Sequence, residues 1–240
     1  MSQNIVMVFD TETSGLPPKE LHKQLDKLPS IVQLSFVLFD INENKIIKTY
    51  DKYIKQPETT DFNSQAFKIT KITKSMCDNG VHIIEALMEF HSAYLNSNHI
   101  VAHNLDFDKF MIELEIIRNY EGLKQHSDFF GPHIIFNTTF NKMWNIQTYC
   151  TMNEGKYITK IELKGKFGKP FYKNPKLEEL HKQFGDKIIP TQSDKVDLNK
   201  LISECDLLIG GVLVPGAEAP KLITKNMLKL MKRGSVIVDV

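Results

Sequence analysis

The sequence predicts an α/β fold, a sheet covered by helices, on three observations. Strand-like apolar runs crowd the first 54 residues, and helix-spaced and strand-spaced segments alternate from residue 82. After residue 206 a strand, a helix and a strand follow one another within 40 residues, which is one βαβ unit. Bulk composition agrees: 240 residues, 42% hydrophobic and 25% charged, exclude wholesale disorder, collagen and coiled coil. That length buries a real core.

The elements follow in order. Residues 5–9, IVMVF, form a continuous apolar run that ends in Asp-Thr-Glu and reads as a buried strand. Residues 31–39 alternate as a second strand and 46–54 suggest a third, with Asn42-Glu43-Asn44 as the turn between them. Ile83, Ile84, Leu87, Met88 and Tyr94 recur at helical spacing over 82–95. The short strand HIVAH at 99–103 leads into a helix, DKFMIELEIIRNY, with Phe110, Leu114 and Ile117 on one stripe. Residues 121–175 are turn-rich and lysine-rich with weak periodicity, and 176–184 form a short amphipathic helix stopped at Gly185. The texture changes after about Ser193. DLLIGGVLV at 206–214 reads as a strand running into the loop Pro215-Gly216-Ala217, Thr224 caps a helix that Gly234 ends, and SVIVDV is a strand ending the chain, as if cut from something larger.

No run of about 18 apolar residues occurs, so no bilayer span is expected. The N-terminus lacks a basic region and a small-residue cleavage site, so no secretory signal is expected. Cys77, Cys150 and Cys205 are odd in number and far apart, which fits a reducing, intracellular and cytoplasmic setting rather than a disulfide framework or a zinc site. The net charge of +1 makes no general claim on nucleic acid. Only Arg118 and Arg233 are arginine, against 28 lysines. Lysine meets phosphate as a point charge, so any nucleic acid bound here is expected to be gripped by its backbone and not read by sequence. An AT-rich genome, which also favours Lys, Asn and Ile, would by itself give this lysine excess.

Asp10 and Glu12 stand two apart at the end of the first strand, where alternation puts both on the same side. Two carboxylates so placed repel unless a cation neutralises them, and oxygen-only ligands suit Mg²⁺ or Mn²⁺. A third carboxylate follows the strand IVAH in Asn104-Leu105-Asp106-Phe107-Asp108, where Asp108 enters a helix's first turn. Either Asp106 or Asp108 could instead serve only as the helix cap.

FDTETSGL at 9–16 and VAHNLDFD at 101–108, in this order, resemble the first two motifs of the DEDDh 3′–5′ exonucleases, members of the ribonuclease-H-like superfamily. IVQLSFVLFD and KLEELHKQFG resemble that family's second strand and the helix before its last motif, so the resemblance runs over roughly 4–193. It implies a ribonuclease-H-like mixed sheet flanked by helices. It also implies that Asp10 bridges two Mg²⁺ or Mn²⁺ ions while Glu12 and Asp108 each complete one site, the pair about 3.5–4 Å apart and steadying an in-line displacement. Thr13, Gly15 and Leu16 would lie against the terminal nucleotide, with His103 and Asn104 nearby. The implied partners are single-stranded DNA or RNA 3′ ends.

The family's last motif, a histidine with an aspartate five residues on, is absent. Asp194 and Asn199 stand where it should follow Thr191-Gln192-Ser193, and no histidine occurs after His181. His181 and Asp186 have the right spacing, but Gly185 between them ends the helix, so they would not share a face. Residues 206–240 resemble a segment of the NAD domain of alanine dehydrogenase. Gly210-Gly211 and Gly216 do not make a G-x-G-x-x-G loop, the substrate domain is missing, and that family's acidic active-site residue would fall just past Val240, so no NAD binding is expected. The expected organisation is therefore an exonuclease-like domain over 1–193 and a dehydrogenase-like fragment over 194–240, two unrelated families abutting as a chimera. The function this implies is metal-dependent 3′–5′ exonuclease chemistry, impaired by loss of the final His and Asp. The alternatives are a fragment of an NAD-dependent alanine dehydrogenase, or a non-catalytic nucleic-acid-binding module.

Overall fold

A computed structural model of the chain describes residues 4–18, 25, 28–129, 131, 134–165, 168–183, 197–205, 207–210, 223–232 and 235–239. It divides into two compact units, 1–183 and 184–240.

In the first unit the order is β1 (Ile5–Thr13), β2 (Ile31–Asp40), β3 (Lys45–Tyr53), α1 (Gln65–Thr70), α2 (Lys74–Asp78), α3 (Ile83–Leu95), β4 (His99–Ala102), α4 (Leu105–Arg118), α5 (Tyr120–Leu123), α6 (Thr138–Met143), β5 (Gln147–Cys150), α7 (Thr151–Thr159), β6 (Glu162–Lys164), β7 (Pro170–Tyr172) and α8 (Leu177–His181). Five strands form one mixed sheet in the order β3-β2-β1-β4-β5. The predicted three-strand meander is antiparallel, while β4 and β5 add to it in parallel. This is the expected mixed sheet flanked by helices.

Alternation decides which face packs. Ile5, Met7 and Phe9 of β1 and Leu34, Phe36 and Leu38 of β2 are buried, together with Ala86, Leu87, Phe90 and Tyr94 of α3 and Met111 and Ile112 of α4. Phe9 meets Phe90 edge-on at 5.1 Å between centroids, a geometry that aromatic quadrupoles favour. The even-numbered residues of β1 point the other way. Val8, paired with Val37 and Val101 in the middle of the sheet, is 47% exposed, so the second face is open there.

Several elements differ from expectation: α1 and α2 lie in a stretch given no element, and α6, β5, α7, β6 and β7 lie in the region read as turns. The helix after β4 begins at Leu105, because Asn104 in a left-handed conformation (φ 66°) turns the chain straight from strand to helix. Asn104 is therefore the N-cap position, and neither Asp106 nor Asp108 is spent as a cap. The edge strand β5 lay in the region read as turns: its four residues are mostly exposed and too few to show a period. In the second unit, α9 (Leu198–Glu204) was also not foreseen; Asp197 Oδ1 accepts hydrogen bonds from Asn199 N and Lys200 N at its start.

The rest of the second unit bears out the βαβ reading. β8 (Leu207–Gly210) and β9 (Val236–Asp239) pair in parallel, with α10 (Lys225–Leu228) between them. Thr224 caps α10 as expected, its hydroxyl accepting from Met227 N. Gly185, Asp186, Asp194, Gly211, Pro215, Gly216, Ala217 and Gly234 lie outside the described residues.

Candidate metal and nucleic-acid site

Parallel strands deliver their C-terminal ends to one edge of the sheet, where open α/β sheets place their ligands. Here β1 ends in Asp10-Thr11-Glu12-Thr13, β4 runs into His103, and β5 runs into Thr151. Asp10 opens to solvent, Glu12 is half-buried, and Asp108 in the first turn of α4 is 2% exposed.

Asp108 is held by a residue the sequence did not single out. Its Oδ1 accepts from Thr11 N at 3.0 Å and from Thr11 Oγ1 at 2.7 Å. Thr11 stands between the two acidic residues, so alternation turns its side chain to the packed face, where α4 lies. That alternation was the available signal. Thr151 was missed as well. Its Oγ1 lies 2.9 Å from His103 Nδ1 and donates to Ala102 O at 3.4 Å, which makes Nδ1 the protonated nitrogen of the ring by assignment.

All three carboxyls are raised above their ordinary values. Burial raises Asp10, and the nearby His103 charge partly offsets it. Burial and then the charge of Asp10 raise Glu12. Burial pushes Asp108 up to about 7, with Asp10 adding repulsion and the Thr11 hydrogen bonds pulling back. Asp10 thus couples to both others, as expected of carboxylates crowded without a cation.

The three side chains offer oxygen alone, the donor type that suits Mg²⁺ or Mn²⁺. Among the described residues, however, no three histidine, cysteine or carboxylate side chains yet sit within metal-holding reach of one another. Asp10 and Glu12 converge, and Asp108 is turned onto Thr11.

The predicted nucleotide contacts distribute around this edge. Thr13 is buried and its hydroxyl donates to Gly15 O at 2.8 Å, which folds the loop that follows β1. Leu16 is 81% exposed, Asn104 is exposed, and His103 is half-buried beside Asp10. His181 closes α8 and is half-buried.

A family model described as "Exonuclease" matches residues 7–165, about two-thirds of the chain. The chain belongs to the exonuclease family. A second family model, "Alanine dehydrogenase/PNT, C-terminal domain", matches residues 172–240. The two matches meet between 165 and 172, so α8 falls in the second match and not in the exonuclease one. Among solved structures, E. coli exonuclease I in complex with a dT13 oligonucleotide is similar at 18% identity and a TM-score of 0.51, over 75% of this chain and 36% of that one. Its complex with a dA16 oligonucleotide is similar at 18% identity and a TM-score of 0.52, over 76% and 36%. Among curated relatives, alanine dehydrogenase of Staphylococcus epidermidis is 48% identical over 68 residues, and alanine dehydrogenase 2 of Staphylococcus aureus is 44% identical over 68. Those stretches cover 28% of this chain and 18% of each dehydrogenase. The chain therefore spans about a third of the exonuclease I chains and under a fifth of the dehydrogenases. No helix among the described residues is long and apolar enough to cross a membrane.

Proposed function

We propose that residues 1–183 bind a divalent cation and a single-stranded nucleic-acid 3′ end, and hydrolyse the terminal phosphodiester slowly. The observation that supports this best is the coupling of Asp10 to both Glu12 and Asp108 at the strand ends of an exonuclease-family sheet. Carboxylates that raise one another's pKa make a site whose charged form waits for a cation.

Asp10 and Glu12 would hold Mg²⁺ or Mn²⁺, and Asp108 would join them on releasing Thr11. The cation, when bound, would polarise the scissile phosphate and lower the pKa of the attacking water. Around it, His103 is fixed in orientation by Thr151, Thr13 shapes the loop that carries Gly15, and exposed Leu16 is free to meet the terminal base. With the final His and Asp of the family pattern absent, no dedicated base would take the proton of the attacking water, and a second ion would be held only weakly. We read 172–240 as a fragment joined to the exonuclease domain, a chimera. Gly210-Gly211 and Gly216 lack the spacing of a glycine-rich phosphate loop, so dinucleotide binding by this segment is not expected.

Losing a general base costs about 10²- to 10⁴-fold. A 5′-labelled single-stranded oligonucleotide incubated with Mn²⁺ should therefore shorten from its 3′ end at least about a hundredfold more slowly than with an intact family member. Asp10→Ala should abolish the shortening. Full-rate digestion abolished by His181→Ala would instead make His181 the base and contradict this reading.

A further inference from the structure

We propose that the β6–β7 ribbon, with the exposed side of α7, holds the single strand a few nucleotides before its 3′ end. The proposal rests on the functional reading above and adds to it where the strand runs.

All six residues of the ribbon ladder are exposed, in the register Glu162 to Tyr172, Leu163 to Phe171 and Lys164 to Pro170. An isolated two-stranded hairpin that buries neither face is marginally stable in water. Yet this one carries apolar and aromatic side chains uncovered on both faces, Leu163 with Phe171 (49% exposed) on one and Tyr172 (42% exposed) with Lys164 on the other, and Tyr157 of α7 is exposed beside Lys156. Gly165 N donates to Lys169 O at 2.9 Å, Gly168 N donates to Gly165 O, and Gly168 takes a φ of 74° that a side chain would oppose.

Charge identifies the occupant. Residues 156–173 contain six lysines and one glutamate, an excess of 6 − 1 = 5 in 18 residues of a chain whose net charge is +1. Lys173 is engaged by Glu179 at 2.6 Å, while Lys164 and Lys169 are exposed. Lysines meet phosphates and uncovered aromatics stack on unpaired bases, the pairing that single-strand binders use. An acidic protein would satisfy the lysines and leave the rings unused; a duplex hides its base faces.

Connectivity ties the ribbon to the carboxylates. α7 begins at Thr151, hydrogen-bonded to His103, and its nine residues carry the chain about 13 Å to the ribbon.

Fluorescence anisotropy on the full chain with Mn²⁺ tests this, using a thymidylate 15-mer and 3-mer. Phe171→Ala with Tyr172→Ala should weaken the 15-mer about tenfold or more. Lys164→Ala with Lys169→Ala should flatten its log K against log salt slope by about 1.4. Neither pair should change 3-mer binding, which also reports that the variants fold, whereas Asp10→Ala should abolish it. Tyr172→Phe should bind as wild type, and a duplex 15-mer should not respond to the aromatic pair. Unchanged 15-mer binding in both double variants, with 3-mer binding intact, overturns the ribbon alone. Loss of the Mn²⁺ and Asp10 dependence, with the 15-mer still requiring Phe171 and Tyr172, overturns the carboxylate reading and leaves the ribbon standing.

Discussion

Burial pushes the carboxyl of Asp108 up to about 7, against an ordinary value near 4. A carboxyl raised on folding stabilises the protein fully below its unfolded value, and that contribution disappears as pH rises through the folded one. In EDTA, the melting temperature should therefore fall between about pH 4 and pH 7. Asp108→Asn, which keeps an acceptor for Thr11, should flatten that fall. Thermal melts across this range check it, and an unchanged pH dependence in the variant would contradict the burial of Asp108 as a neutral acid. At this scale the sequence displayed Asp10, Glu12 and Asp108 plainly, because charged residues at strand ends stand out from apolar runs. Thr11 and Thr151 were hidden, because a threonine in or beside a strand is ordinary until its partner across 97 or 48 residues is known.

Among the elements, α4 does two things. Its first turn supplies Asp108, and its last turn anchors the chain that enters β2. Glu115 is buried and accepts from Ile31 N at 3.2 Å, Asn119 Nδ2 at 3.0 Å and Arg118 Nη1 at 2.6 Å. Arg118 Nη2 reaches Leu25 O at 2.6 Å and Leu28 O at 3.1 Å. One of only two arginines is thus committed to structure, where its planar fork binds several acceptors at once. Removing one partner of a buried pair strands the other charge, at a cost of about 3–5 kcal/mol. Arg118 is partly exposed, so Arg118→Ala should cost about 2–3 kcal/mol in a urea melt. A loss under 0.5 kcal/mol would mean the clamp contributes nothing. The meander, α3 and β4 were legible because each carries a clear period. β5 and the β6–β7 ribbon were not, because a four-residue strand with three exposed residues and two three-residue strands carry no burial pattern to read.

At the scale of the whole molecule, sequence and packing draw the boundary in different places. The dehydrogenase match begins at 172, whereas the compact units part after Gln183. α8 lies between the two limits and packs inward: Leu180 is buried, and a Cβ on Gly155 of α7 would lie 3.0 Å from Pro175 Cγ and 3.1 Å from Leu180 Cδ1. A helix that lies within the dehydrogenase match therefore packs inside the 1–183 unit. Leu180→Ala should destabilise residues 1–183 by about 2–4 kcal/mol, seen as earlier loss of Mn²⁺-dependent oligonucleotide binding on heating. Unaltered thermal loss would show that α8 is not part of that unit. The sequence changes texture after about Ser193, while the two family matches meet between 165 and 172; α8 lies between those limits, and an amphipathic helix such as KLEELHKQF satisfies either family's pattern.

The central claim is that the strand-end carboxylates are a cation and 3′-nucleotide site. Crystals of the full chain soaked in Mn²⁺ and a nucleoside monophosphate test it most directly. The account predicts an anomalous peak bonded to Asp10 and Glu12, with Asp108 turned from Thr11 toward it and the nucleotide between Leu16 and His103. A map with no peak at Asp10 and Glu12, or one unchanged by Asp10→Ala, would contradict it.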